Sequence, residues 1–187
     1  MVWIIAGQSA LLVLLVLLFL IWKGTTSEMI WQLKHGSAGS RFKAAGDLAL
    51  SGPNAMETAP ALRDAVDDPD PQVQRLAADA LLRMRAWSEL NSCDWVRKAD
   101  VYSITSATTD IANTYPAPLE ALPLLQNVLL NYPEPGARQQ AAMTLGRYGE
   151  RAVPILMAAS DDRDPTVRSW VQTVLDQIQG RPPLRGR

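Results

Sequence analysis

The chain has 187 residues, a formal net charge of −1 and 20% charged residues. That balance excludes a broadly basic, nucleic-acid-binding surface. Cys93 is the only cysteine and His35 the only histidine, which removes an intrachain disulfide, multi-cysteine zinc sites and most acid–base templates.

The first element runs from Val2 to Trp22 without a charge, and from Ala10 onward without a polar residue. Trp3 and Trp22 stand 19 positions apart, about 28 Å of helix at roughly 1.5 Å per residue. That span approaches a hydrocarbon core of about 30 Å, with both indoles at headgroup depth. No basic segment precedes the run and no small-residue cleavage site follows it, so residues 1–23 are expected to be an uncleaved transmembrane anchor. Trp3, Trp22, Lys23 and Trp31 are its expected interface residues. Lys23, Lys34, Arg41 and Lys43 come after the span and no Lys or Arg precedes it, which orients the remainder of the chain toward the cytoplasm. The expected location is therefore the cell membrane, crossed once. Residues 24–36 read either as a juxtamembrane linker carrying a short amphipathic helix or as a first helix capping the repeated helices beyond it.

A repeated phrase organises the rest. Pro60 and Pro71, Pro123 and Pro135, and Pro154 and Pro165 form three pairs, 11, 12 and 11 positions apart. Each first proline opens an apolar helical phrase, where its missing N–H costs nothing. Asp70, Glu134 and Asp164 precede the second prolines, placed to accept hydrogen bonds from free amides at a helix start. Helical phrases rich in alanine lie between the pairs. Lys43 to Leu50 aligns with Arg75 to Leu82 at an offset of 32, and Gln139 to Gly146 aligns 64 further on. A period of this length marks a stacked array of helices.

Asp164-Pro165-Thr166-Val167-Arg168 and Asp70-Pro71-Gln72-Val73-Gln74, with the Ala-Ala and Pro-Leu helices around them, resemble the HEAT-repeat family in its short bacterial form. The resemblance covers residues 37–179. It implies an all-α fold, a right-handed α-solenoid of about four HEAT-like helix pairs after the transmembrane helix, and says little about function; it is the repeat array itself that points to binding rather than chemistry. Residues 180–187 are expected to be a disordered basic tail.

Trp87 to Tyr115 departs from the rhythm, and residues 87–115 are expected to be an irregular insert, with Val101, Ile104 and Ile111 spaced to share one face of a degenerate helix. Arg83, Arg85, Arg97 and Lys98 gather near Trp87 and Trp95, and these six are the candidate partner-binding residues. The aspartate clusters at 64–70 and 161–164 lack the spacing of a calcium loop and read as caps and turns. No catalytic residue, cofactor or metal site is expected. The sequence thus points to a membrane-tethered scaffold or adaptor for a protein partner. An accessory subunit of a larger membrane complex is the alternative. A pigment-lyase-like role, implied by the resemblance alone, ranks below both.

Overall fold

The computed structural model describes residues 26–92 and 94–180. The expected membrane anchor, with Trp3, Trp22 and Lys23, lies outside the described residues, as do Cys93 and residues 181–187. Among the described residues no helix is long and apolar enough to cross a membrane. The chain divides after Arg85 into two compact units.

In the first unit, residues 26–35 are helical. Leu33 is buried and shares a hollow with Ala61 and Ala65, so this stretch packs on the unit, while Trp31 remains 62% exposed. Helix α1, Ala38–Ser51, starts where the Ser37 hydroxyl accepts from the Ser40 amide, and stops at Gly52, whose φ of 56° a side chain would oppose. A 3-10 stretch, Gly52–Thr58, leads into α2, Ala59–Ala65. Helix α3, Pro71–Met84, is capped by Asp70, whose carboxylate accepts from the Gln72 amide at 2.8 Å. The core is a small-residue seam: Ala44, Ala45 and Leu48 of α1 and Ala77, Ala78 and Leu81 of α3 are all buried, and the two helices pack together. Alanine pairs permit this close approach, and leucines fill the flanks.

That seam corrects the repeat register. Ala44 corresponds to Ala77, not to Leu76, so the offset is 33 rather than 32. Leu76 is only half-buried, which the shorter offset would have placed in the core. The offset of 64 from Ala77 to Ala141 holds, since both alanine pairs are buried.

The second unit holds α4 (Trp87–Ser92), α5 (Trp95–Lys98), α6 (Val101–Asn113), α7 (Leu122–Asn131), α8 (Pro135–Leu145), α9 (Val153–Ala158) and α10 (Pro165–Ile178). Helix α8 is central, packed against α6, α7 and α10. Asp164 caps α10 through its carboxylate as expected, whereas Glu134 precedes α8 without a side-chain cap.

The expected irregular insert is helical. Asp100 caps α6, its carboxylate accepting from the Ser103 amide at 2.7 Å, and Ile104, Ala107 and Ile111 are buried along one face. Helix α6 is thus a regular member of the series whose start lacks the usual residues: Val101 stands where α3, α8 and α10 have proline, and Ile104 stands where α1, α3, α8 and α10 have Arg or Gln. Both Trp87 and Trp95 are core residues, at 1% and 4% exposure.

Candidate functional site

The caps Ser37, Asp70, Asp100, Glu134 and Asp164 set one register for the long helices α1, α3, α6, α8 and α10. Four residues past four of these caps stand Arg41, Gln74, Arg138 and Arg168. Each folds its side chain back onto a carbonyl ahead of its own helix. Arg41 donates to Gly36 O, Gln74 to Asp68 O, Arg138 to Tyr132 and Pro133 O, and Arg168 to Asp162 O.

Two of these arginines do more. In the first unit, Arg41 grips Asp68 in a bidentate pair at 2.7 and 2.9 Å. In the second, Arg138 grips Asp162 at 3.0 and 2.9 Å, with side-chain exposures of 2% and 9%. Each aspartate also accepts from the cap two residues on, Asp70 N and Asp164 N, both at 2.8 Å. One carboxylate therefore ties a helix to the turn that starts the next long helix. Burial alone would raise the Asp68 and Asp162 carboxyls. The arginine and amide hydrogen bonds outweigh it, and both lie below the ordinary carboxylate range. Helix α6, lacking the arginine, has its preceding carbonyl, Ala99 O, bonded instead by the Tyr132 hydroxyl at 3.0 Å. Burial, with Asp100 and Glu134 nearby, raises that phenol.

These bonds satisfy the polar groups at helix starts; a second set of residues faces outward along the same helices. The fifth, ninth and thirteenth residues after each cap form columns that are exposed or half-buried in every case. In the second unit they are Thr105, Thr109 and Asn113; Gln139, Met143 and Arg147; and Ser169, Thr173 and Gln177. Only Arg147 among these nine is charged, so the face offers hydrogen bonds without a field. Gln140 Nε2 donates to Thr109 Oγ1 at 3.1 Å, joining α6 to α8 across it. Met143, Arg147 and Gln177 line one open hollow of about 440 Å³ between α8 and α10. The first unit differs. Its columns are Phe42, Gly46 and Leu50 on α1, apolar, and Arg75, Asp79 and Arg83 on α3, charged.

The six residues singled out from sequence fall in both units, Arg83 and Arg85 in the first and Trp87, Trp95, Arg97 and Lys98 in the second. Arg83 is exposed and paired with Asp79 at 2.9 Å. Arg85 is exposed and holds the left-handed turn that ends α3, with φ of 58°. Arg97 and Lys98 are exposed on α5, Arg97 3.8 Å from Asp94. Trp87 and Trp95 cannot offer their rings to a partner, because their apolar area lies inside the second unit. Truncating a core tryptophan costs about 3–5 kcal/mol, so both rings carry packing energy. His35 lies against Trp31, ring centroids 5.6 Å apart. Among the described residues no cluster of histidine, cysteine or carboxylate side chains could hold a metal ion.

Residues 91–176 match the family model for HEAT repeats. The matched segment includes α6, which the sequence pattern sets apart as irregular, and runs to within two residues of the end of α10. HEAT repeats mediate protein–protein interactions, in keeping with a scaffold or adaptor. No curated protein matches the chain. All of the α6–α8–α10 face except Gln177 lies inside the matched segment, which makes it a candidate surface for a protein partner.

Proposed function

We propose that this protein is a HEAT-repeat scaffold, tethered to the cell membrane through residues 1–23, that holds a protein partner on the cytoplasmic side. The observation that carries the binding half is the largely uncharged hydrogen-bonding face of α6, α8 and α10, which lies, Gln177 apart, within the HEAT match. A face rich in amides and hydroxyls complements the polar groups of another polypeptide, and its single charge imposes little electrostatic demand. The tether is supported by the uncharged run from Val2 to Trp22 and by the basic residues after it. Confinement at the membrane raises the effective concentration toward partners held there.

A photo-crosslinking side chain introduced in living cells at Thr109, Gln139 or Thr173, and separately at exposed Gln126 on α7, tests the surface. The expected result is one discrete adduct from the first three positions and none from Gln126. Equal labelling from all four sinks the assignment of the face. For the tether, protease added to intact cells should leave the repeat region uncut, and cleavage would reverse the orientation.

A further inference from the structure

The outward face of α1 is apolar where α3, its neighbour in the first unit, is charged. Phe42 is 41% exposed and Leu50 81% exposed. They stand about one turn either side of Gly46, at about 3.6 residues per turn. Glycine is the least favourable helix former after proline, and nothing inside the unit requires it at position 46. A Cβ added there would meet only Leu76 Cδ1, at an ordinary 3.8 Å. The residue is costly to the helix and unexplained by the unit's own packing, yet it leaves bare backbone between two exposed apolar side chains. Beside this stripe, on one flank, lie Lys43 and Asp47, neither ion-paired among the described residues. Arg75 and the Asp79–Arg83 pair of α3 add a charged border. An apolar centre within a charged border is the anatomy of an interface.

We propose that this face is self-complementary, and that two copies of the chain pair through α1 as antiparallel helices about a twofold axis near Gly46. A twofold contact must match a surface to itself, and this face meets that condition position by position. Antiparallel pairing centred on Gly46 sets Phe42 of one copy beside Leu50 of the other, twice over. Glycine meets glycine, so the backbones approach closely. The axis keeps each flank on its own side, which brings Lys43 of one copy to Asp47 of the other, again twice. Cation meets anion at both symmetric positions, whereas a parallel twofold would send the two charged flanks to opposite sides and lose both pairs. The contact is one helix long, in the size class of reversible association, so the dimer dissociates on dilution. This inference goes beyond the scaffold reading and does not depend on it, because it uses only the first unit.

Sedimentation equilibrium of the full chain in detergent micelles, over a concentration series, tests the pairing. The wild type is expected to dimerise reversibly. Lys43→Glu and Asp47→Lys, each alone, place like charges together at both symmetric positions and are expected to weaken the dimer by at least about tenfold. The double variant Lys43→Glu/Asp47→Lys restores the opposite pairing and is expected to recover the wild-type constant. Gly46→Leu should abolish the dimer without lowering the thermal midpoint by circular dichroism, since leucine favours the helix, which separates lost pairing from lost folding. A chain that stays monomeric at every concentration overturns the proposal. So does a dimer indifferent to all four variants. A dimer lost on deleting residues 1–25 but unmoved by the α1 variants assigns association to the amino-terminal segment and overturns it equally.

Discussion

Replacing Arg138 by methionine keeps much of the side chain's length and apolar stem while removing the guanidinium. Four hydrogen bonds disappear: two to the Asp162 carboxylate and two to the carbonyls of Tyr132 and Pro133. The Asp162 side chain, 9% exposed, then keeps the Asp164 amide but loses its bidentate counter-charge. Removing one partner of a buried pair costs about 3–5 kcal/mol, mostly through the charge left behind. The retained amide bond and nearby Arg163 place the expected loss at the lower end, about 3 kcal/mol. Against a total stability of about 5–15 kcal/mol that is a large fraction. In urea, with a slope of about 1–3 kcal/mol per molar, the midpoint should fall by roughly 1–3 M. Circular dichroism in the far ultraviolet across a urea series reads this directly. The double variant Arg138→Met/Asp162→Leu removes the stranded charge and should recover most of the loss. A single variant within about 1 kcal/mol of wild type, or a double variant no better than the single, would show that the pair does not hold this junction.

Arg85→Gly should raise stability by about 1 kcal/mol, because φ of 58° strains a residue with a Cβ; an unchanged or lowered thermal midpoint counts against that account. Stability should also fall at both ends of the pH scale. Asp68 and Asp162 have lowered folded-state pKa values, so their contribution is complete above the unfolded carboxylate value, about 3.9, and is lost as pH drops through the folded values. Tyr148 is the opposite case. Its hydroxyl donates to Pro118 O at 2.9 Å, and burial first, then Glu120, pushes its pKa up to about 12, against the pull of Arg147. Its contribution is complete below about pH 10 and is lost as pH rises toward 12. Tyr148→Phe should flatten that alkaline slope, and a slope unchanged in the variant would assign it to other groups.

The chain declares its helix starts openly. Asp70-Pro71 and Asp164-Pro165 are legible because cap and proline are adjacent, and the structure shows both carboxylates on the amides they were expected to bind. The arginine–aspartate pairs are not legible, because Arg41 and Asp68 lie 27 residues apart and Arg138 and Asp162 lie 24 apart. A signal is present all the same: an arginine four residues past one cap and an aspartate two residues before a later one. Helix α6 is concealed for a related reason. Asp100 keeps the cap, but Val101 and Ile104 replace the proline and the Gln or Arg that make α3 and α8 recognisable. Trp87 and Trp95 mislead in the other direction. Arginines beside them in sequence suggest a surface, while helical geometry turns the rings inward and leaves Arg97 and Lys98 outside. The outward columns on α6, α8 and α10 can be read only once the caps fix which residues share a face.

The bond from Tyr132 to Ala99 O bears on the order in which the chain acquires its structure. A ribosome delivers Ala99 and the whole of α6 before it delivers Tyr132, 33 residues later. Arg138 likewise precedes Asp162 by 24. Each of these two junctions in the second unit is thus closed by a residue made after the helix it secures. At about 5–20 residues per second, that leaves α6 waiting a few seconds for its fastening. The second unit is fastened from its carboxyl-terminal side, each junction waiting on a residue of a later turn.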